Sequence, residues 1–243
     1  MAEAIKSNVT SQAVTTNSHA QPLVNDIAGR PFRSDIPSSI LDHIQNGVMK
    51  TVYRNVPFFK SPFDIALYLQ LLSRLAPRTV IEIGTKFGGS ALWFADMLTA
   101  QGIRDPWVVS VDIQPISNFE DSRITFLQGD AKTLDLVLRA DFLSACARPL
   151  LVIEDTSHRY AETAAVLAFF HHKLMSGDYI VVEDGVLSQF SDTKFYSQYE
   201  DGPNRAVTDF LACHADDYVI DIALCDHFGH NVTYNPNAWL KRR

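Results

Sequence analysis

The 243-residue chain has little of several features that mark whole classes of protein. Its three cysteines, Cys146, Cys213 and Cys225, are an odd number without metal-ligand or redox spacing. That excludes a disulfide framework and fits a reducing compartment. No basic run is longer than Lys241-Arg242-Arg243, and the net charge is −7, which speaks against binding nucleic acid by neutralising phosphates. No apolar run approaches transmembrane length, and the N-terminus lacks a signal-peptide apolar region. These absences predict a cytoplasmic protein with no nucleic-acid or membrane partner, and they leave the sequons at Asn8 and Asn231 without meaning. No internal repeat is visible.

What remains is ample for a core, since 47% of the residues are hydrophobic. Residues 1–37, rich in Ser, Thr, Asn, Gln and Ala, read as a flexible arm or an oligomer-swapping tail. Residues 38–243 read as one domain, with N-terminal helices over 38–78 and a sheet core over 79–243. Ile40, Ile44, Val48 and Val52 form one stripe and predict a helix over 38–55. A second helix starts at Ser61, a good N-cap, with Pro62 in its first turn and Asp64 as a capping acid. Ile65, Tyr68, Leu69 and Leu72 are its expected buried face. Apolar runs at 79–83, 107–112, 124–127, 150–154 and 179–183 read as strands, with helices between most of them. The helix at 160–175 stops at Gly177. Alternation of this kind predicts a parallel sheet covered by helices on both faces. The polar and aromatic stretch 186–204 reads as a long substrate-side loop. A helix at 203–213 and strands within 218–226 and 231–240, joined by a short loop containing Gly229, read as an antiparallel closing hairpin.

Two strand ends carry the chemistry. LLVIEDTSH (150–158) and YIVVEDG (179–185) are apolar runs that stop abruptly in carboxylates. Ligands of an open parallel sheet bind outside the carboxyl ends of its strands. Asp155, Glu183 and Asp184 can therefore converge on one point, where they would repel unless a cation sat between them. Oxygen ligands suit magnesium, calcium or manganese, and loop acids in water are the plain alternative. His158 follows Asp155 by three residues and suits proton transfer near neutral pH; an exposed loop histidine is its plain alternative. His171 and His172 read as surface or packing residues, while His227 and His230 are weaker pocket candidates. Tyr53, Phe58, Phe59 and Lys60 read either as a lid or as ordinary packing of the N-terminal helices.

A third motif is TVIEIGTKFGGSALWFADML (79–98): a strand, a glycine turn and an apolar helix start. Glycines let the backbone approach a ligand closely, and the helix N-terminus attracts an anionic group. The motif is neither the dinucleotide fingerprint nor a phosphate-binding P-loop. Ser90 is either the helix N-cap or a donor to a cofactor carboxylate. Asp112 and Asp130, which end the next two strands, suit a nucleoside's ribose and base. With Glu82 two residues before Gly84, the string E-x-G-x-x-x-G-G-S resembles the first motif of class I S-adenosylmethionine-dependent methyltransferases.

Taken together, RNVPFFKSPFD (54–64), LAPRTVIEIGTKFGGSALWFAD (75–96), LVIEDTSH (151–158), GDYIVVEDG (177–185) and NAWLKR (237–242) resemble the cephalosporin hydroxylase family. Its members include the cephamycin 7-methoxylation enzyme and rhamnosyl and macrolide-sugar O-methyltransferases. The resemblance covers residues 40–243 and implies a class I methyltransferase fold. That fold is a Rossmann-like, doubly wound, mostly parallel seven-stranded sheet with an antiparallel closing hairpin. It implies a metal-dependent O-methyltransferase, with S-adenosyl-L-methionine held by Glu82, Gly84, Thr85, Ser90, Asp112 and Asp130. Mg2+ or Mn2+ would be held by Asp155, Glu183 and Asp184, and His158 would be the base. The implied partner is a small-molecule acceptor with a hydroxyl, a sugar or natural-product intermediate, and the implied assembly a homo-oligomer. A distant similarity to catechol-type O-methyltransferases supports the layout, but His158 stands where those enzymes have lysine, which argues against a catechol. Methyl transfer to nitrogen or carbon, and a non-catalytic cofactor-binding subunit, are the competing readings.

Overall fold

The structure is a computed structural model that describes residues 29–114 and 119–243. In chain order the elements are α1 (Ser38–Val48), β1 (Val52–Tyr53), β2 (Val56–Pro57), α2 (Pro62–Leu75), β3 (Thr79–Ile83), α3 (Gly89–Ala100), β4 (Trp107–Asp112), β5 (Ile124–Gln128), α4 (Ala140–Ala145), β6 (Leu150–Glu154), α5 (Tyr160–His171), β7 (Tyr179–Val182), α6 (Thr193–Tyr196), α7 (Gly202–His214), β8 (Tyr218–Ile220), α8 (Ile222–Cys225) and β9 (Trp239–Arg242). Seven strands form one sheet in the order β5-β4-β3-β6-β7-β9-β8. The first five run parallel, and β9 lies antiparallel between β7 and β8. The chain winds outward from β3 to β5, then returns to lay β6 on the other side of β3. The doubly wound, seven-stranded expectation is met, with the switch point between β3 and β6, where such sheets bind ligands.

The pleat divides the core between two faces. Ile81, Ile83, Val109, Val111 and Val152 pack with Val166, Leu167 and Phe170 of α5 and Val207 and Leu211 of α7. Val80, Val108, Leu151 and Ile153 pack on the other face with Leu67 and Leu71 of α2 and Phe94 and Leu98 of α3. Both faces are covered, so β3 and β6 are buried along their whole length and are mostly apolar, with Glu82 and Glu154 their buried acids. Helix α2 starts as its sequence predicts. Ser61 accepts from the Asp64 amide at 3.1 Å, Pro62 occupies the first turn, and Ala76 ends the helix in a left-handed conformation.

Several boundaries differ from the sequence reading. The helix expected over 38–55 stops at Val48. The chain then makes a tight hairpin, β1-β2, around Arg54 and Asn55, both at positive φ, as a two-residue turn between twisted strands requires. Leu41 and Val48 are buried there, while Ile40 and Val52 are exposed. Helix α2 buries Leu67, Tyr68, Leu71 and Leu72 and leaves Leu69 partly exposed. Its sequence is apolar on more than one stripe, so packing against the sheet chose the face. Helix α5 ends at His171, earlier than expected, and Gly177 falls in the turn beyond it. The 186–204 stretch is built of short helical turns, including α6.

The closing strands β8 and β9 are antiparallel as expected, but α8 and a long irregular segment join them. Asn231, Thr233, Asn235 and Asn237 in that segment are buried. They bond to one another and to neighbouring backbone, which replaces the strand expected from 231 onward. The expected boundary at residue 37 also moves. Arg30 bonds Asp226 at 3.0 Å and Asn231 at 3.2 Å, and Ile36 is buried, so residues 29–37 belong to the folded body. The rest of the expected arm lies outside the described residues.

Candidate active site

Register brings the glycine loop and the first carboxylate strand end together. Ile83 pairs with Glu154, so Gly84 leaves β3 beside Asp155 leaving β6. A Cβ at Gly84 would lie 1.9 Å from the Asp155 carbonyl oxygen, and Gly84 has φ +107°, which glycine alone adopts readily. The Gly84 amide donates to Val111 and the Asp155 amide to Ile83, both at 2.8 Å. The loop is held from the third strand as well: Asp112 Oδ2 accepts from the Thr85 and Lys86 amides at 2.8 Å each.

Glu82 is fully buried on the face of α2 and α3. Its Oε2 accepts from the Ser110 hydroxyl at 2.7 Å, and that hydroxyl also meets Thr85 Oγ1 at 2.7 Å. Oε1 has no hydrogen-bond partner among the described residues. Burial raises the Glu82 carboxyl above its ordinary range, against the pull of Lys60. Ser90 is nearly buried in the first turn of α3 and is not its N-cap; Gly88 holds that position in a left-handed conformation. Asp130 caps the turn that follows β5 by accepting from the Lys132 amide at 2.8 Å. All six residues expected at a cofactor site therefore lie on the carboxyl side of β3, β4 and β5.

The second register sets the acids. Glu154 pairs with Val182, so Asp155 and Glu183 leave adjacent strands side by side. Asp155, His158 and Asp184 offer ligand atoms that all lie within 4.8 Å of one another, with His158 Nε2 3.5 Å from Asp184 Oδ2. His158 and Asp184 both have left-handed backbones, at φ 59° and 62°. The edge of the His158 ring meets Tyr199, 5.7 Å between centroids.

Glu183 turns inward instead. Lys60 Nζ lies 2.5 Å from Glu183 Oε2 and 2.6 Å from Asp155 Oδ2, and the Tyr68 hydroxyl donates to Glu183 Oε1. The side chains of Lys60 and Glu183 are 4% and 5% exposed, so the pair is desolvated. Burial disfavours the Lys60 ammonium, but Asp155 and Glu183 outweigh it and hold its pKa well above the ordinary lysine value. Burial likewise raises Glu183, opposed by Lys60, and raises Asp184, opposed by His158.

The lid reading of residues 53–60 does not survive. Tyr53 bonds Asp96 at 2.9 Å, Phe58 stacks on Trp93 in the core, and Lys60 is buried in the cluster. Phe59 faces the glycine loop, edge-on to Phe87 and beneath Lys86. Sequence reading weighed Lys60 as a lid or packing residue and Tyr68 as core, and missed that both join the acidic cluster. The one signal was a lysine directly before the Ser61 cap in an otherwise apolar run. Glu154, also missed, faces away from the cluster toward α5, where Thr163 bonds it at 3.1 Å and burial lifts its carboxyl to about 7. His227 is exposed, and His230 meets Asp35 at 3.3 Å, so neither joins the cluster. A separate group, His171, His214 and Asp217, lies at the far ends of α5 and α7, with Arg242 on Asp217.

Chemically, two carboxylates, Asp155 and Glu183, face one ammonium, and a third, Asp184, faces an imidazole at the rim. The oxygen-rich set fits a hard divalent cation, and Glu82 Oε1 is an unused acceptor of the kind a cationic ligand group requires.

A family model described as Rhamnosyl O-methyltransferase/CmcI matches residues 45–243. A rhamnosyl O-methyltransferase of Mycobacterium leprae is 29% identical over 202 residues, covering 79% of this chain and 83% of the relative. The enzyme of the same name from Mycobacterium bovis strain BCG is 28% identical over 200 residues, covering 79% and 78%. Among solved structures, CmcI with magnesium and S-adenosylmethionine superposes with a TM-score of 0.59 at 25% identity, covering 80% of this chain and 77% of that one. Apo CmcI superposes with a TM-score of 0.62 at 26% identity, covering 80% and 76%.

Proposed function

We propose, from the premise that the chain belongs to the Rhamnosyl O-methyltransferase/CmcI family, that its site moves the methyl group of S-adenosylmethionine to a hydroxyl of a sugar or sugar-bearing natural product, with magnesium and His158 assisting. The chain is an S-adenosylmethionine-dependent O-methyltransferase, a class carried by the family, by relatives named for that reaction and by CmcI structures holding the cofactor and its demethylated product. The observation that carries the finer reading is the close pass of Gly84 over the Asp155 carbonyl. It joins the loop suited to a nucleoside cofactor to the carboxylate cluster, with His158 at the rim.

In this reading the unused oxygen of Glu82 accepts from the cofactor's ammonium, while the Gly84–Thr85 turn walls its methionine end and Ser90 brings a hydroxyl to it. Asp112 and Asp130 each spend oxygens on the adjacent turns, and a carboxylate oxygen retains a second lone pair for a ribose hydroxyl or a base amine. Asp155, Glu183 and Asp184 would hold magnesium, which when bound supplies the Lewis acidity that makes an aliphatic hydroxyl easier to deprotonate. His158 Nε2 takes the hydroxyl proton, and Asp184 beside it stabilises the imidazolium that results. Tyr199, beside His158, offers an apolar face at the rim on which a sugar ring can rest. Positioning of the acceptor oxygen against the methyl group supplies much of the acceleration.

The test is turnover with S-adenosylmethionine and a panel of rhamnosides, other glycosides and polyketide alcohols. The expected result is loss of transfer in EDTA, recovery with magnesium, and no transfer by Asp155→Ala despite retained cofactor binding. Full activity in chelator would remove the metal from the reading. Cofactor binding with no transfer to any acceptor would favour a non-catalytic subunit.

A further inference from the structure

The inner half of the acidic cluster already contains a cation, and it belongs to the chain. Lys60 enters from the linker between β2 and α2, and its ammonium touches Asp155 at 2.6 Å and Glu183 at 2.5 Å. The two acids come from different strands and lie 95 and 123 positions away in sequence. Buried lysines are rare unless paired, and this one is nine-tenths or more buried with carboxylates on two sides. Both oxygens of Glu183 are engaged, the second by the Tyr68 hydroxyl. A metal held by Glu183 and Asp155 would sit beside the Lys60 ammonium, and of the partners of Glu183 the ammonium is the one a divalent cation repels.

We propose that Lys60 is a built-in counter-ion that holds Asp155 and Glu183 together in the metal-free protein and withdraws from Glu183 when a divalent cation binds, so that it sets the affinity of the site. This inference rests on the metal reading above. Lys60 is a positioning residue: it acts on the carboxylates and does not touch acceptor or methyl group. Affinity for a hard cation rises with the number of uncompensated charges among its ligands, so an ammonium in the cluster weakens metal binding. The same ammonium relieves the repulsion between carboxylates that would otherwise strain the metal-free fold. The arrangement thus exchanges metal affinity for metal-free stability, with the chain's own cation in the place a metal would take.

The experiment measures Mg2+ binding to metal-free protein by calorimetry, and Mn2+ binding by electron paramagnetic resonance, in wild type, Lys60→Met and Lys60→Arg. Removing the charge is expected to tighten binding about tenfold or more, lower the metal-free melting temperature, and enlarge the upward shift in melting that Mg2+ produces. Lys60→Arg keeps the charge and is expected to stay close to wild-type affinity. A second readout uses wild type alone: reductive methylation at Lys60, followed by mass spectrometry, should speed up severalfold in saturating Mg2+. Unchanged or weaker binding in Lys60→Met, or Lys60 labelling that metal leaves unchanged, would overturn the inference. If wild type binds no divalent cation while folded, the metal reading itself fails. If wild type binds and Asp155→Ala does not, but Lys60→Met binds no more tightly, the inference about Lys60 fails alone.

Discussion

The junction of β3 and β6 makes a quantitative prediction at Gly84. In Gly84→Ala the new methyl would sit 1.9 Å from the carbonyl oxygen and 2.4 Å from the carbonyl carbon of Asp155, both backbone atoms that no side-chain rotation can move. The strand ends must part by about 1 Å, a displacement in the range where overpacking costs about 1–3 kcal/mol. The φ of +107° adds roughly 1–2 kcal/mol for any residue with a Cβ. The expected loss is therefore about 2–5 kcal/mol, read as a fall of roughly 1 M or more in the urea midpoint. Gly102→Ala is the control. It too has positive φ, +75°, but nothing lies within 4 Å of the added methyl, so only the conformational cost of about 1 kcal/mol applies. The two variants should differ in function as well as in stability. Shifting Asp155 by about 1 Å relative to the cofactor loop is expected to lower methyl transfer about a hundredfold, while Gly102→Ala transfers normally. A Gly84→Ala protein as stable as Gly102→Ala, with undiminished transfer, would refute the argument that this crossing sets the site.

Two further outcomes are expected. Asp64, buried under Thr233 and Tyr234, has its carboxyl raised by burial to about 6. The folded protein therefore keeps this proton to higher pH than the unfolded chain does; the stability it contributes is present below about pH 4 and falls by up to roughly 3 kcal/mol as pH rises to about 6. Asp64→Asn should flatten that part of the stability profile, measured by urea unfolding at pH 4 and pH 7, and an identical slope in wild type and variant would contradict it. His158→Gly and His158→Ala should both lose methyl transfer, but the glycine variant should be more stable by about 1 kcal/mol, because φ at this position is 59°; equal stability would show that this backbone carries no strain.

The sheet was legible because its strands are buried on both faces. β3, β4 and β6 begin and end where their apolar runs do, and Asp112 at the end of β4 and Asp155 just past β6 are acids of the candidate site. The start of α2 was legible because capping is local: Ser61, Pro62 and Asp64 act within one turn. What failed was set at longer range. The burial of Leu67 in place of Leu69 depends on which face of an apolar helix meets the sheet. The segment before β9 keeps its polar side chains inside because Asn231, Asn235 and Asn237 find partners there, Pro31 among them, 206 positions from Asn237. Ser90 looked like a cap because it follows two glycines, but Gly88 takes the left-handed position and the helix begins at Gly89.

The acidic cluster shows how a correct electrostatic premise can leave part of its answer hidden. Three converging carboxylates do require positive charge, and the two strand ends announced them in sequence. A lysine before the Ser61 cap was the one sign that part of this charge comes from Lys60, and it is a weak one, because the contact spans 123 positions and joins a linker to a strand end. One ammonium cannot balance three acids, and depth decides which it serves. Lys60 and Tyr68 occupy Glu183 on the inside, while Asp155 spans both halves and Asp184 faces outward with His158. The inner half is nearly closed to solvent, with side chains 4% and 5% exposed, and the outer pair, at 23% and 28%, remains open. The uncompensated charge thus lies on the side from which a metal and an acceptor hydroxyl would have to enter. That side also carries His158, whose Nε2 lies 3.5 Å from Asp184.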